Sequence, residues 1–66
     1  MISFYPFWKT LKEKHVSQYY LIQNGLSPGQ LQRLKHNQAV STDTIQLLCR
    51  ILNCPVTGIM EYVPLR

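Results

Sequence analysis

The chain has 66 residues, enough for one domain and too few for two. Its only cysteines are Cys49 and Cys54, which excludes a disulfide framework in place of an apolar core. The formal net charge is +4. No acid lies between Glu13 and Asp43, a stretch that holds Lys14, Arg33 and Lys35 with His15 and His36. Positive charge unopposed by carboxylates attracts polyanions.

Residues 1–6 lack the basic and apolar regions of a secretory leader, so none is expected. The longest apolar runs are far short of a membrane span. Apolar residues fall at helical spacing and period-2 alternation is absent, so an all-α chain of five short helices is expected, with no strand.

The first helix is expected over about residues 6–14, with Pro6 suited to a first turn that has unpaired N–H groups. Phe4, Phe7, Trp8 and Leu11 form its inner face; Lys9, Lys12 and Glu13 turn outward. Ser17 is placed to cap a second helix over residues 18–24. Its core residue is Leu21, with Tyr20 and Ile22 beside it, and Gly25 stops it. Ser27, Pro28 and Gln30 open the third helix as cap, first-turn proline and capping-box glutamine. Leu31 and Leu34 face inward there, leaving Gln30, Gln32, Arg33 and Lys35 outside. The fourth helix starts near Ser41, Thr42 and Asp43, with the acid favoured at the positive end of the dipole. Ile45, Leu48, Cys49 and Leu52 make its apolar stripe. Asn53, Cys54 and Pro55 end it. A last short helix, about residues 57–62, returns Ile59 and Met60 to the core before Pro64.

Two helices joined by Gly25, Leu26 and Ser27 have the spacing of a helix-turn-helix, here residues 17–36 of a single domain spanning 1–66. In that geometry the second helix can enter a DNA major groove while the first braces it. Ser17, Gln18 and Leu21, then Gly25, Leu26 and Ser27, then Leu31, Arg33, Leu34 and Lys35, resemble the Cro/repressor-like (Xre-type) helix-turn-helix family. Residues 41–45, 48–54 and 59–64 resemble the fourth and fifth helices of its short bacterial and phage members. The resemblance covers roughly residues 11–64. It implies a compact five-helix, lambda-repressor-like domain acting in the cytoplasm of a bacterial or phage-infected cell.

By position, the family pattern implies that Gln18 holds a phosphate. Pro28, Gly29, Gln30, Gln32 and Arg33 would line the recognition face, and Lys35, Asn37, Ser41 and Thr42 would lie near the DNA backbone. N–H groups opening the second and fourth helices could also meet phosphate. Three positions depart from the pattern. One residue fewer separates Leu21 from Gly25. Ile22 stands where alanine is usual, and its bulk is expected to push the recognition helix outward. Pro28 and Gly29 stand where polar base-reading residues are common. Base reading is therefore expected from Gln30, Gln32 and Arg33, or from DNA shape.

Competing readings are blander. Gln30 serves equally well as a helix cap. Lys14 and Lys35 can act as general electrostatic contributors. The spacing of His15, His36, Cys49 and Cys54 fits no standard zinc pattern, and buried cysteine behaves as a small hydrophobe, so no metal is expected. Most of the aromatics Phe4, Tyr5, Phe7, Trp8, Tyr19 and Tyr20 are expected in the core, with Tyr19 the most exposed. No catalytic grouping or phosphate loop is visible, so no enzyme activity or cofactor is expected. The expected function is a DNA-binding transcriptional regulator with double-stranded DNA as partner. The alternatives are a protein-interaction module of the same fold, antitoxin-like or phage accessory, and a nonspecific nucleic-acid binder. No membrane or small-molecule partner is implied. A homodimer is possible, with Val63, Pro64 and Leu65 or Phe4 and Tyr5 as exposed apolar candidates.

Overall fold

A computed structural model describes residues 1–64. The elements are β1 (Ile2–Ser3), α1 (Tyr5–Lys14), α2 (Gln18–Gln23), α3 (Pro28–Lys35), α4 (Thr42–Leu52), a 3-10 turn (Val56–Gly58) and β2 (Glu61–Tyr62). The fold is a helical bundle with four α-helices, not five. The expected fifth helix is split into the 3-10 turn and β2, which pairs antiparallel with β1, Ile2 opposite Tyr62 and Ser3 opposite Glu61. Met1 and Val63 extend this ladder by exchanging backbone hydrogen bonds. Strands two residues long are too short to show an alternating pattern, which is why they were invisible in the sequence.

Three serines start three of the helices. The hydroxyl oxygens of Ser17, Ser27 and Ser41 accept from the N–H groups of Tyr20, Gln30 and Thr44. Each satisfies one of the four N–H groups that a helix start leaves unpaired.

All four helices end in one way. A residue with positive φ follows each: His15, Gly25, Asn37 and Asn53. The next residue donates its N–H to the carbonyl five positions earlier: Val16 to Leu11 O, Leu26 to Leu21 O, Gln38 to Arg33 O and Cys54 to Cys49 O. This is the Schellman ending, in which the two residues joined by the long bond commonly also touch through apolar side chains. In α1 the pair is Leu11 and Val16, in α2 Leu21 and Leu26, in α4 Cys49 and Cys54. The cysteines therefore occupy positions filled elsewhere by leucine and valine. The ending also explains the shortened turn after Leu21. At Gly25, φ is +112°, so the reversal is made at a residue without a Cβ and needs no further spacer.

The core comprises Phe4, Phe7, Leu11, Leu21, Leu26, Leu31, Leu34, Leu48, Leu52 and Ile59. Phe4 lies just before α1 rather than within it, yet it is buried. That removes it from the expected dimer surface, while Tyr5 and Val63 are exposed and Leu65 lies outside the described residues. Of the aromatics, Phe4 and Phe7 are buried and Trp8 is half-buried, but Tyr5, Tyr19 and Tyr20 are exposed. The expectation that most belong to the core is thus corrected. α2 buries Leu21 alone, because a helix of six residues presents little more than one turn to its neighbours. Thr10 locks α1 to the 3-10 turn by donating its hydroxyl to Gly58 O at 2.8 Å. The Phe7 N–H donates to Ile59 O at 3.1 Å.

Candidate nucleic-acid interface

α2 and α3 flank a turn whose one buried side chain is Leu26. Leu21 beneath α2 and Leu31 and Leu34 beneath α3 bury against the same core, so both helices are fixed from below. This leaves the upper face of α3 free. Pro28, Gly29, Gln32, Arg33 and Lys35 are all exposed. Gln18 is exposed as the first residue of α2, and Ser41 and Thr42 are exposed at the start of α4. Ile22 is 37% exposed, so its side chain turns partly to solvent. The remainder of its surface is covered by the fold.

Gln30 has a different position from the rest. Its side-chain oxygen accepts from the Ser41 N–H at 3.2 Å and from the Thr44 hydroxyl at 2.9 Å. The Ser41 hydroxyl in turn donates to Thr44 Oγ1 at 3.0 Å. Half of a capping box is present, since the Gln30 N–H donates to Ser27 Oγ. The Gln30 side chain, however, reaches across to α4 rather than back to its own helix start. It sets the start of α4, with Ser41 and Thr42, against the start of α3. Thr44 was missed in the sequence, though a signal was there. Thr44, Leu48 and Leu52 are the buried residues of α4, at i, i+4 and i+8. A hydroxyl on that face needs a partner.

Gln30→Ala removes the acceptor of two hydrogen bonds and should cost about 1–2 kcal/mol of stability. Urea unfolding measures the loss. If the residue acts as a brace, the base preference of any bound DNA stays unchanged.

Arg33 occupies the position that is apolar in the other three helix endings. Its partner across the Schellman bond is Gln38, also exposed, at 2.8 Å. Its guanidinium donates from Nη1 to Ala39 O at 3.3 Å. One of five donors is thus committed to holding the side chain along the loop, and the others face solvent. Asn37 follows at φ 53°, and its Oδ1 accepts from the Phe4 N–H at 2.9 Å. It ties β1 to the end of α3, a structural task that the sequence did not reveal. Asp43 stands in the first turn of α4 and complements that end of the dipole.

The Cys54 thiol offers little chemistry. The Cys54 thiol is pushed up by burial and by Cys49, with Lys14 pulling the other way, so little thiolate forms at neutral pH. Among the described residues, no group of three or more His, Cys, Asp or Glu side chains is placed to hold a metal ion. No helix among them is long and apolar enough to cross a membrane.

Two helices braced from below, with a polar exposed second helix, define a helix-turn-helix. The chain belongs to the family of Cro/C1-type HTH DNA-binding domains, whose model matches residues 7–64. It is similar to a solved structure described as the transcriptional regulator VanUg. The TM-score is 0.87 at 28% identity, covering 96% of this chain and 85% of that one. None of the curated proteins matches the chain.

Proposed function

We propose that the chain is a transcriptional regulator that occupies operator DNA by laying α3 in the major groove. The observation that carries this reading is the outer face of α3, where Gln32 and Arg33 stand exposed on a helix fixed at both ends. A helix start joined to α4 by Gln30 and an arginine tethered to Ala39 O lose little freedom on binding, which favours base-edge hydrogen bonds. In this reading Arg33 and Gln32 read bases, while Gln18, Lys35 and Thr42 meet the phosphate backbone. Asp43 works against a phosphate at the α4 start, and Ser41 has its N–H committed to Gln30 and its hydroxyl to Thr44, so the Thr42 side chain contributes more there than the helix end itself. Gln30 and Asn37 act by positioning. The likeness to a transcriptional regulator supports the assignment.

Gly29 adds an independent argument. A Cβ built there meets nothing within 4 Å, and its backbone is not in the positive-φ region. Neither packing nor conformation requires glycine, although glycine weakens a helix. A close approach by the DNA would require it. Gly29→Ala should therefore raise stability by about 0.5–1 kcal/mol in urea unfolding and at the same time weaken DNA binding. Tighter or unchanged binding would remove Gly29 from the interface.

Selection from a random duplex library, followed by a salt series on the enriched sequence, tests the function. The affinity should fall on a log–log plot with a slope of about −0.9 for each phosphate contacted. No enrichment at any salt would sink the operator reading. Tyr19, Tyr20 and Ile22 favour a second reading, since they form an exposed apolar face on α2 suited to a protein partner. Such binding would respond little to salt.

A further inference from the structure

Beside the interface lies a cavity of ≈ 810 Å³, within the size range of small-molecule sites, which are concave and mainly apolar. Its apolar lining includes Ile2 from β1, Val40 from the α3–α4 loop, Ile45 and Cys49 from α4, Val56 from the 3-10 turn, and Met60. Segments so far apart in sequence give no common signal, so the cavity could not be anticipated from the chain.

Its polar side chains are uncharged: Asn37, Gln38, Thr42 and Gln46. No Asp, Glu, Lys, Arg or His lines it, and its one charge is the ammonium of Met1, which already donates to Val63 O. A cation would find no ionic partner there, and an anion only an ammonium held by the chain itself, so charge gains little against the cost of desolvation. An uncharged molecule with an apolar body and a single carbonyl or hydroxyl group matches both parts of the lining.

The wall next to α3 carries the two hydrogen bonds that hold Arg33. The Gln38 N–H donates to Arg33 O at 2.8 Å, and the Ala39 carbonyl accepts from Arg33 Nη1 at 3.3 Å. Both residues line the cavity.

We propose that this cavity binds an uncharged, mainly apolar small molecule and that occupancy displaces the Arg33 side chain through residues 38 and 39. The functional meaning of that displacement rests on the reading of Arg33 as a base-reading residue; the binding itself does not.

The test contains no DNA, so its failure is separate from a failure of the operator reading. N-phenyl-1-naphthylamine, uncharged and largely apolar, serves as the probe. Its fluorescence is titrated against the whole chain, and nitrogen-15 NMR follows the backbone amides and the Arg33 Nε–H. The expected result is saturable binding, shifts confined to residues 37–49, 56, 60 and the β1 segment, and movement of the Arg33 Nε–H. Val56→Trp should fill the cavity and weaken binding by about tenfold or more. Gln46→Trp fills it from α4 and replaces the first variant if circular dichroism shows that one unfolded. Tyr19→Ala, on α2, should leave binding unchanged. Non-saturable fluorescence, shifts elsewhere, a stationary Arg33 Nε–H, or filled variants that bind as tightly as the original would each overturn the proposal. Sedimentation showing that a second copy of the chain closes the cavity would overturn it as well.

Discussion

Phe7→Ala is expected to leave the chain close to its unfolding threshold at 25 °C. Phe7 is 0% exposed, and its ring meets Trp8 edge-on with centroids 4.7 Å apart. Truncating a buried phenylalanine typically costs about 3–5 kcal/mol, from lost apolar transfer and the void left behind. A domain of 66 residues has only about 3–10 kcal/mol in total. The loss reaches beyond α1, because the Phe7 ring belongs to the same buried core as Ile59, the residue that leads toward β2. Urea unfolding followed by Trp8 fluorescence measures the effect. A cost below about 1 kcal/mol would mean that neighbouring side chains collapse into the void.

Arg33→Ala should have the largest effect on DNA binding with little effect on the fold. The side chain is exposed, and the bond it gives up to Ala39 O is long, at 3.3 Å. A bidentate arginine–guanine pair contributes about 1–3 kcal/mol of discrimination, a change of roughly five- to 150-fold. Selection from random duplexes should then return a motif blurred at the position Arg33 reads, with urea unfolding nearly unchanged. Uniform weakening across all sequences, with a shallower salt slope, would instead make Arg33 a phosphate contact.

Much of the fold was legible because its signals are local. Ser17, Ser27 and Ser41 announced three helix starts. Gly25, and Asn53 followed by Cys54 and Pro55, announced two ends, and the leucines marked the core. The β-ladder was not legible, since pairing between Ile2 and Tyr62 leaves no mark in either segment alone. Phe4 fell in helical spacing with Trp8 and Leu11 although it precedes α1, because burial, not helicity, sets its place. On the candidate interface, the exposure of Gln32, Arg33 and Lys35 followed from the helical period. The tasks of Gln30 and Asn37 did not, because their partners, Thr44 and Phe4, are distant in sequence. A glutamine on an outward face reads alike whether it meets a base or a neighbouring helix.

The pairing of β1 with β2 has a kinetic consequence. Every helix here is started and stopped by groups within a few residues of it, and such local contacts form early and fast. Loop closure costs entropy that grows with the logarithm of loop length, and the Phe7–Ile59 and Thr10–Gly58 bonds already close most of the chain. The ladder adds only four residues and the flanking Met1–Val63 pair at the far ends. Folding therefore ends where the chain's two extremities meet, and local opening begins there. The bundle forms first, and the clasp that orders Phe4 against Asn37 closes last.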